Sequence, residues 1–535
     1  MRKRLAWMGV LATGLAGCGG QAAPEAAGAP GEAFPYAEAG IVQLQEAMAR
    51  GETSSHALVQ AYLERIVALD RNGPRLNAYI ELNPQARNEA AERDAERRAG
   101  RLRGPLHGIP VVVKDNIDAT PMGTTAGSLA LQGLRPTRDA FLVARLREAG
   151  AVVLGKANLS EWANFRSPAS TSGWSSRGGQ ARNPYALDRS PCGSSSGTAV
   201  AVAANLAVVG IGTETDGSIL CPAAVNGIVG LKPTVGLVSR GGILPISFSQ
   251  DSPGPMARSV EDAALVLAAI AGTDPEDAAT AAIGPLPAFD FAARLGDGSA
   301  GLHGLRIGLL RQHLAISPEV ATATNAAMEV LRGAGATVVE VELATEGQWE
   351  ADEMTVLMHE FRAGVERYLS THPSAPVKTL AEVVAYNRAH AAEAMPYFGQ
   401  ELLEQAAGVG GLASPEYIEA RMRARRLAGE LGIDATLRDH RLDLLVAPTT
   451  GVAWPLDPAH GDHFPGAGYG AAAVAGYPAI SVPMGHAGNL PLGLSFIGPA
   501  WSEARLLRAA HAYESLTRAR RAPDPGKHAA PSPAR

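Results

Sequence analysis

The residues best equipped for chemistry lie between Cys192 and Ser218. The stretch opens Cys192-Gly193-Ser194-Ser195-Ser196-Gly197 and closes Gly212-Thr213-Glu214-Thr215-Asp216-Gly217-Ser218. Glycine and serine bury little apolar area, and glycine loses more backbone entropy on folding than any other residue, so this run is a poor scaffold and reads as a site. Its hydroxyls become nucleophiles once a neighbouring base removes the proton. Residues 193–197 fit the Gly-x-Ser-x-Gly pattern of a nucleophile elbow, with Ser195 as the attacking residue. An elbow needs a strand directly before it and a downstream acid and histidine. Asp188-Arg189-Ser190-Pro191 is turn chemistry instead, and neither His440 nor His511 stands in a recognisable triad context. The elbow is set aside.

The elements that must position this stretch alternate along the chain. Residues 55–69 place Leu58, Tyr62, Ile66 and Leu69 at helical spacing behind Thr53 and Ser54 as candidate caps, and a charged helix is predicted over 84–98. Residues 108–113 read as a buried strand with Lys114 directly at its end. Lysines seldom follow three valines for solubility, although a lysine that snorkels past the strand end is the commoner outcome. Residues 151–154 read as another strand. Residues 150–156 match most of a phosphate-binding loop, but Ala157 stands where a Ser or Thr should hold magnesium, and the nucleotide reading is rejected. Inside the central stretch, 198–206 reads as helix and 207–211 as strand. Beyond it come a strand at 305–310, a helix at 318–331 and a strand at 337–341. Residues 350–441 are mostly helical in pattern, a candidate cap over the site. Strands return at 442–447, 479–483 and 492–497 before a helix at 503–516. The expected fold is α/β, a single large domain with a central mixed β-sheet covered by helices.

Lys114, Ser194 and Ser218 join in a second reading, and here the sequence resembles the amidase signature family. The family pattern Gly-Gly-Ser-Ser-Gly-Gly, then Gly-Thr-Asp-x-Gly-Gly-Ser, appears as the two motifs quoted above, with Ser194 and Ser218 24 positions apart. Residues 108–116 resemble its lysine strand, 227–233 and 252–256 continue the likeness, and a weaker similarity spans 37–516. The resemblance implies hydrolysis of carboxamides to acid and ammonia through an acyl-enzyme, with no metal or organic cofactor. It implies Ser218 as nucleophile and Lys114 as a base kept neutral by burial. Ser194, preceded by a cis bond in the family, would relay the proton. The backbone N–H groups of Thr215, Asp216, Gly217 and Ser218 would hold the oxyanion. Asp216-Gly217 and Cys192-Gly193 stand where many members carry Gly-Gly. The run Gly-Thr-Glu-Thr-Asp-Gly-Ser-Ile, with Cys-Pro-Ala after it, resembles the peptide amidase branch, whose members remove the C-terminal amide from peptides. Hydrolysis of fatty-acid or other acyl amides is the alternative within the class. A non-catalytic, peptide-binding envelope lipoprotein is the alternative outside it.

Composition narrows the field further. The 535 residues are 46% hydrophobic and 19% charged with a formal net charge of −6, as expected of a globular protein with a sizeable core. Basic residues are scattered apart from a cluster at 421–426, which reads as the solvated face of a helix, so no nucleic-acid partner is expected. Arg2-Lys3-Arg4, the apolar run 5–16 and Gly17-Cys18-Gly19-Gly20 read as an export signal. Leu15-Ala16-Gly17-Cys18 also resembles the bacterial lipobox, which implies lipidation at Cys18. The expected organisation is a lipoprotein signal over 1–18, a flexible tether over 19–36, an amidase domain over 37–519 and a disordered tail over 520–535. The expected location is the bacterial cell envelope, with membrane attachment through a lipid anchor at Cys18; a secreted or periplasmic protein is the alternative. A bridge between Cys192 and Cys221 is possible in an oxidising compartment, but the two are read here as packing residues.

Overall fold

Short runs of valine, isoleucine and leucine between glycine- and proline-rich turns become strands, because branched side chains pack well on a pleated surface. The computed structural model describes residues 34–283, 290–296 and 298–528. In chain order its strands are β1 Tyr79–Leu82, β2 Pro110–Lys114, β3 Val152–Ala157, β4 Trp174–Ser175, β5 Gly179–Gln180, β6 Val209–Glu214 and β7 Val229–Lys232. They continue as β8 Ser252–Ala257, β9 Arg306–Leu310, β10 Thr337–Val341, β11 Leu444–Pro448, β12 Ala479–Ala487 and β13 Leu490–Ile497. β4 and β5 form a small hairpin, and the others form one 11-stranded sheet in the order β1-β3-β2-β6-β8-β7-β12-β13-β11-β9-β10. The sheet is mixed: β2 runs parallel to β3 and β6, and β9 parallel to β10 and β11. The middle run from β6 to β13 is antiparallel. β2, β3 and β6 are buried along their whole length, which is why they read as unbroken apolar runs rather than as alternation.

The helices Ser196–Ala203 and Leu220–Val225 are buried at every residue, and their small side chains are what allow that depth. Both flank the central stretch. The expected strand at 207–211 starts later and runs further, to Glu214, because β2 pairs with one edge of β6 and β8 with the other through Glu214↔Ser252. The β8 ladder, which continues past the end of the β2 pairing at Ile211, overrides the weak strand preference of Gly212-Thr213-Glu214. β3 likewise extends to Ala157 through its pairing with β1 and β2, so Lys156 sits inside a strand and not in a phosphate loop. The helix expected over 55–69 ends at Ile66 and passes through a π turn, Val67–Arg71. The buried Asp70 carboxylate takes the N–H groups of Ala78 and Tyr79 and so draws the chain into β1.

The chain divides into two compact units, Met1–Ala37 and Glu38–Arg535. In the first, residues 34–37 form a turn closed by Ala37 N–H to the Phe34 carbonyl at 3.0 Å. The signal at 1–18, with Cys18, and nearly all of the tether at 19–36 lie outside the described residues. In the second unit the tail expected to be disordered from residue 520 is built in at its start. Arg520 donates to Glu38 Oε2 at 2.7 Å and to the Gly227 carbonyl at 2.7 Å, which gives a guanidinium fixed partners and explains the departure from composition. Among the described residues no helix is long and apolar enough to cross a membrane.

Candidate active site

Lys114 closes β2, and the parallel register Val111↔Val209, Val112↔Gly210, Val113↔Ile211 brings its end beside Thr213 on β6. The lysine does not snorkel. It is fully buried, and Nζ donates to Ser194 Oγ at 2.7 Å, to the Thr213 carbonyl at 3.0 Å and to Thr213 Oγ1 at 2.8 Å. Burial drives its pKa down to about 7, against the opposing pull of the Asp251 and Glu214 carboxylates.

Ser194 stands just before the helix Ser196–Ala203, and its bond to Gly193 is cis. Its carbonyl accepts from Ser160 N–H at 3.1 Å, and the next residue, Ser195, donates its N–H to the Ser218 carbonyl at 3.1 Å. The two serine segments therefore meet. The Ser195 hydroxyl is committed elsewhere: it donates to the Thr213 carbonyl at 3.1 Å and accepts from Thr213 N–H at 3.2 Å. With no strand directly before it and its hydroxyl tied to β6, Ser195 lacks the geometry of an elbow nucleophile.

Ser218 follows a tight turn. Gly217 has φ +79, and a Cβ there would lie 2.2 Å from the Tyr469 ring, so the position requires glycine on two counts. The Glu214 carboxylate pins the far side of the turn by accepting Ile219 N–H at 2.7 Å and Leu220 N–H at 2.9 Å. The Gly217 N–H also faces that carboxylate, and burial raises the Glu214 pKa in spite of these donors and the Lys232 charge. Thr215 is held by its hydroxyl on Asp251 Oδ1 at 2.5 Å. Asp251 in turn accepts the N–H groups of Ile246 and Ser247, and Ser247 Oγ reaches Glu360 on the helix Glu350–Ser370 at 2.6 Å. The helical span thus braces the turn from behind.

Asp216 is exposed at the turn and feels the carboxylates of Glu353, Glu214 and Glu346. Loss of water around the carboxyl, then the neighbouring charges of Glu353 and Glu214, push its pKa well above the carboxylate range, and Lys232 opposes only in part. Glu353 shifts the same way, with Gln250 Nε2 donating to it at 2.8 Å.

Cys192 and Cys221, expected as packing residues, form a disulfide with Cα atoms 6.0 Å apart and a sequence separation of 29. The helix Ser196–Ala203 and β6 run out and back, which returns Cys221 to the segment that holds Cys192. Both sulfur-bearing residues are buried, so the packing role holds as well.

The structure thus brings Lys114 and Ser194 into direct contact, ties the Ser218 backbone to the Ser194 segment through Ser195 N–H, and places Thr215, Asp216 and Gly217 on the same turn as Ser218. Sequence reasoning left Thr213, Glu214, Gln250, Asp251, Glu353 and Tyr469 without roles. Thr213 and Glu214 stand inside the quoted motif and could have been flagged; the others arrive from distant segments without a local signal.

Comparison with known proteins agrees with this geometry. The family model described as Amidase matches residues 57–507. A probable amidase of Arabidopsis thaliana is 39% identical over 502 residues, covering 92% of each chain. The structure of the native peptide amidase from Stenotrophomonas maltophilia superposes with a TM-score of 0.89 at 62% identity, covering 92% of this chain and 99% of that one. The peptide amidase bound to the competitive inhibitor chymostatin superposes with a TM-score of 0.90 at 62% identity, covering 92% and 100%. With its motifs, its mixed sheet and these relatives in agreement, the chain belongs to the amidase signature family and is an enzyme that hydrolyses amides.

Proposed function

We propose that this amidase removes the C-terminal amide from peptides through Lys114, Ser194 and Ser218. The observation that carries the mechanism is a buried lysine with its pKa near neutrality, 2.7 Å from Ser194 Oγ. A neutral amine has a lone pair. It takes the Ser194 proton as Ser194 takes that of Ser218, and Ser218 Oγ attacks the amide carbon. The new oxyanion is held by N–H groups of the 215–218 turn other than that of Gly217, which is turned to the Glu214 carboxylate, each such donor contributing about 3 kcal/mol at acyl-transfer sites. The lysine ammonium returns its proton through Ser194 to the departing nitrogen, the C–N bond breaks and ammonia leaves. Water, deprotonated by the same relay, then attacks the ester and releases the acid.

The substrate assignment rests on 62% identity with a peptide amidase over almost its full length. In this reading the carboxamide binds beside Ser218 on the side of Asp216, and the helices between 350 and 441 shape the acyl side. A leaving group longer than ammonia would leave buried polar groups unpaired there, at about 1–3 kcal/mol each. The test compares kcat/KM for a dipeptide amide, the same peptide extended by one residue, and a long-chain fatty amide. The dipeptide amide is expected to lead. Preference for the fatty amide moves the assignment to lipid amides, and efficient cleavage of the extended peptide makes the enzyme a peptidase.

The site of action we propose is the cell envelope, with a lipid on Cys18. The lipobox-like Leu15-Ala16-Gly17-Cys18 supports it, as does the Cys192–Cys221 bridge, since disulfides persist in oxidising compartments. Intact mass of the protein extracted from membranes checks this: an unlipidated mature chain overturns it.

A further inference from the structure

The Cys192–Cys221 bridge takes no part in the chemistry, yet it joins the two segments that carry it. Cys192 stands two residues before Ser194, and Cys221 three residues after Ser218. We propose that Cys192 and Cys221 are positioning residues for the reaction, their disulfide holding the Ser194 segment in register with the Ser218 turn. The inference rests on the roles given above to Ser194 and Ser218.

The other ties between the two segments are hydrogen bonds, the paired Ser195–Thr213 contacts among them. Ser195 N–H reaches the Ser218 carbonyl at 3.1 Å, and Asn226 Nδ2 reaches the Pro191 carbonyl at 2.9 Å. Such bonds open and close with thermal motion, whereas proton transfer along Ser218, Ser194 and Lys114 needs heavy atoms within roughly 2.6–3.2 Å of one another. A misplacement of about 1 Å costs on the order of 100-fold in rate. A covalent link next to both serines limits that drift. Cys192 also holds a left-handed backbone at φ 55, a conformation that side chains other than glycine adopt only where neighbours enforce it.

The bridge acts on the oxyanion turn as well. Cys221 N–H donates to the Gly217 carbonyl at 2.9 Å, and both cysteines pack in the apolar cluster that includes Trp349, Trp454 and Tyr469. Tyr469 is the side chain that rests on Gly217. The bridge forms by exchange: one cysteine thiolate attacks a sulfur of an oxidised protein or small-molecule disulfide, and the second thiolate resolves the mixed disulfide. The two thiols lose two protons and two electrons, and the two sulfurs of the oxidant leave as thiols.

The test uses the full-length oxidised enzyme and its Cys192→Ala/Cys221→Ala variant on a dipeptide amide. The variant is expected to keep its fold at the assay temperature by circular dichroism, to lose at least about tenfold in kcat with KM within about threefold, and to react proportionally more slowly with a fluorophosphonate at Ser218. A bridge that is only structural lowers Tm and leaves kcat of the folded enzyme unchanged, which overturns the proposal. So does a fully active wild type in which both thiols titrate as free after denaturation without reductant. Should the double variant fail to fold, graded reduction of the wild type replaces it. Activity is then expected to fall as the two thiols appear and to return on reoxidation, while a fully reduced, fully active enzyme overturns the idea. Ser218→Ala, run in parallel, separates the two claims: if it stays active the triad reading fails, and if it is dead while the bridge variant runs at full rate only the positioning role fails.

Discussion

A lysine ammonium has three hydrogens and no lone pair, so Lys114 serves as a base only after losing one. Its surroundings favour that loss. In the proposed mechanism kcat/KM therefore rises with pH through about 7 and levels off above it. Lys114→Ala is expected to remove that limb and about 10²- to 10⁴-fold of the rate. A wild-type profile flat across neutrality, with chemistry rate-limiting, counts against a lysine base. The same depression has a stability consequence. Between about 7 and the ordinary lysine value of 10.5 the unfolded chain binds the proton that the folded one has released, so this group's contribution to stability increases with pH across that window. The serines differ as sharply. Ser218→Ala is expected to abolish turnover, whereas Ser195→Ala, which loses two hydrogen bonds to Thr213, costs about 1–2 kcal/mol of stability and leaves most of the activity. Turnover abolished in a folded Ser195→Ala protein but retained in Ser218→Ala would sink the assignment.

Among the elements, the turn between β6 and the helix Leu220–Val225 is the most tightly specified. Gly217→Ala places a side chain at φ +79 and against the Tyr469 ring, at about 1–2 kcal/mol for the backbone alone. The expected result is a loss of at least about tenfold in kcat/KM, partly restored when Tyr469→Ala removes the clash but not the backbone strain. Equal rates for the two variants would show that Tyr469 does not press on the turn. A second element carries a titrating contact. Asp118, four residues past Lys114, accepts from Tyr368 Oη at 2.6 Å and pairs with His372 Nε2 at 2.9 Å at the end of the helix Glu350–Ser370. Burial pulls the His372 pKa down, but the hydrogen bond and charge of Asp118 and the Tyr368 carbonyl outweigh it, and the net shift is upward. A raised histidine stabilises fully below its unfolded value of about 6.5 and loses that contribution as pH rises through the folded one. The urea midpoint of His372→Gln is expected to lie below wild type at pH 5.5 and to converge with it at alkaline pH; a constant gap counts against the ion pair.

At the scale of the whole molecule, the site exists because one sheet collects distant segments. Lys114 and Thr213 come from neighbouring parallel strands, Asp251 from the loop before β8, and Tyr469 from the approach to β12. The helical span from 350 closes the back of this assembly through Glu353 and Glu360. Distant segments of the second unit join in the same way, with Arg520 anchored on Glu38. The disulfide closes a loop of 29 residues, which in the chain-entropy account contributes roughly 3–4 kcal/mol. Thermal unfolding of the oxidised and reduced proteins reads that contribution directly, and identical midpoints would remove it.

The sequence by itself determined the α/β architecture and the family, because strand and helix periods are local and the serine motifs keep a fixed order and spacing. The proximity of Lys114 to Ser194 could be expected for the same reason: each stands within or beside a motif whose residue types suit only a few chemistries. Tertiary structure decided what pairing and burial control. Ladder bonds from β8 stretched β6 to Glu214, and the partners of Arg520 gave order to a segment whose composition argued against it. Whether Lys114 snorkels or stays buried depended on a neighbouring strand offering Thr213 to its ammonium, which no local pattern records. Whether Cys192 and Cys221 bond depended on a return of the chain that brings their Cα atoms to 6.0 Å. Distances between segments are set by the packing of the whole sheet, and a linear sequence does not carry them in any one place.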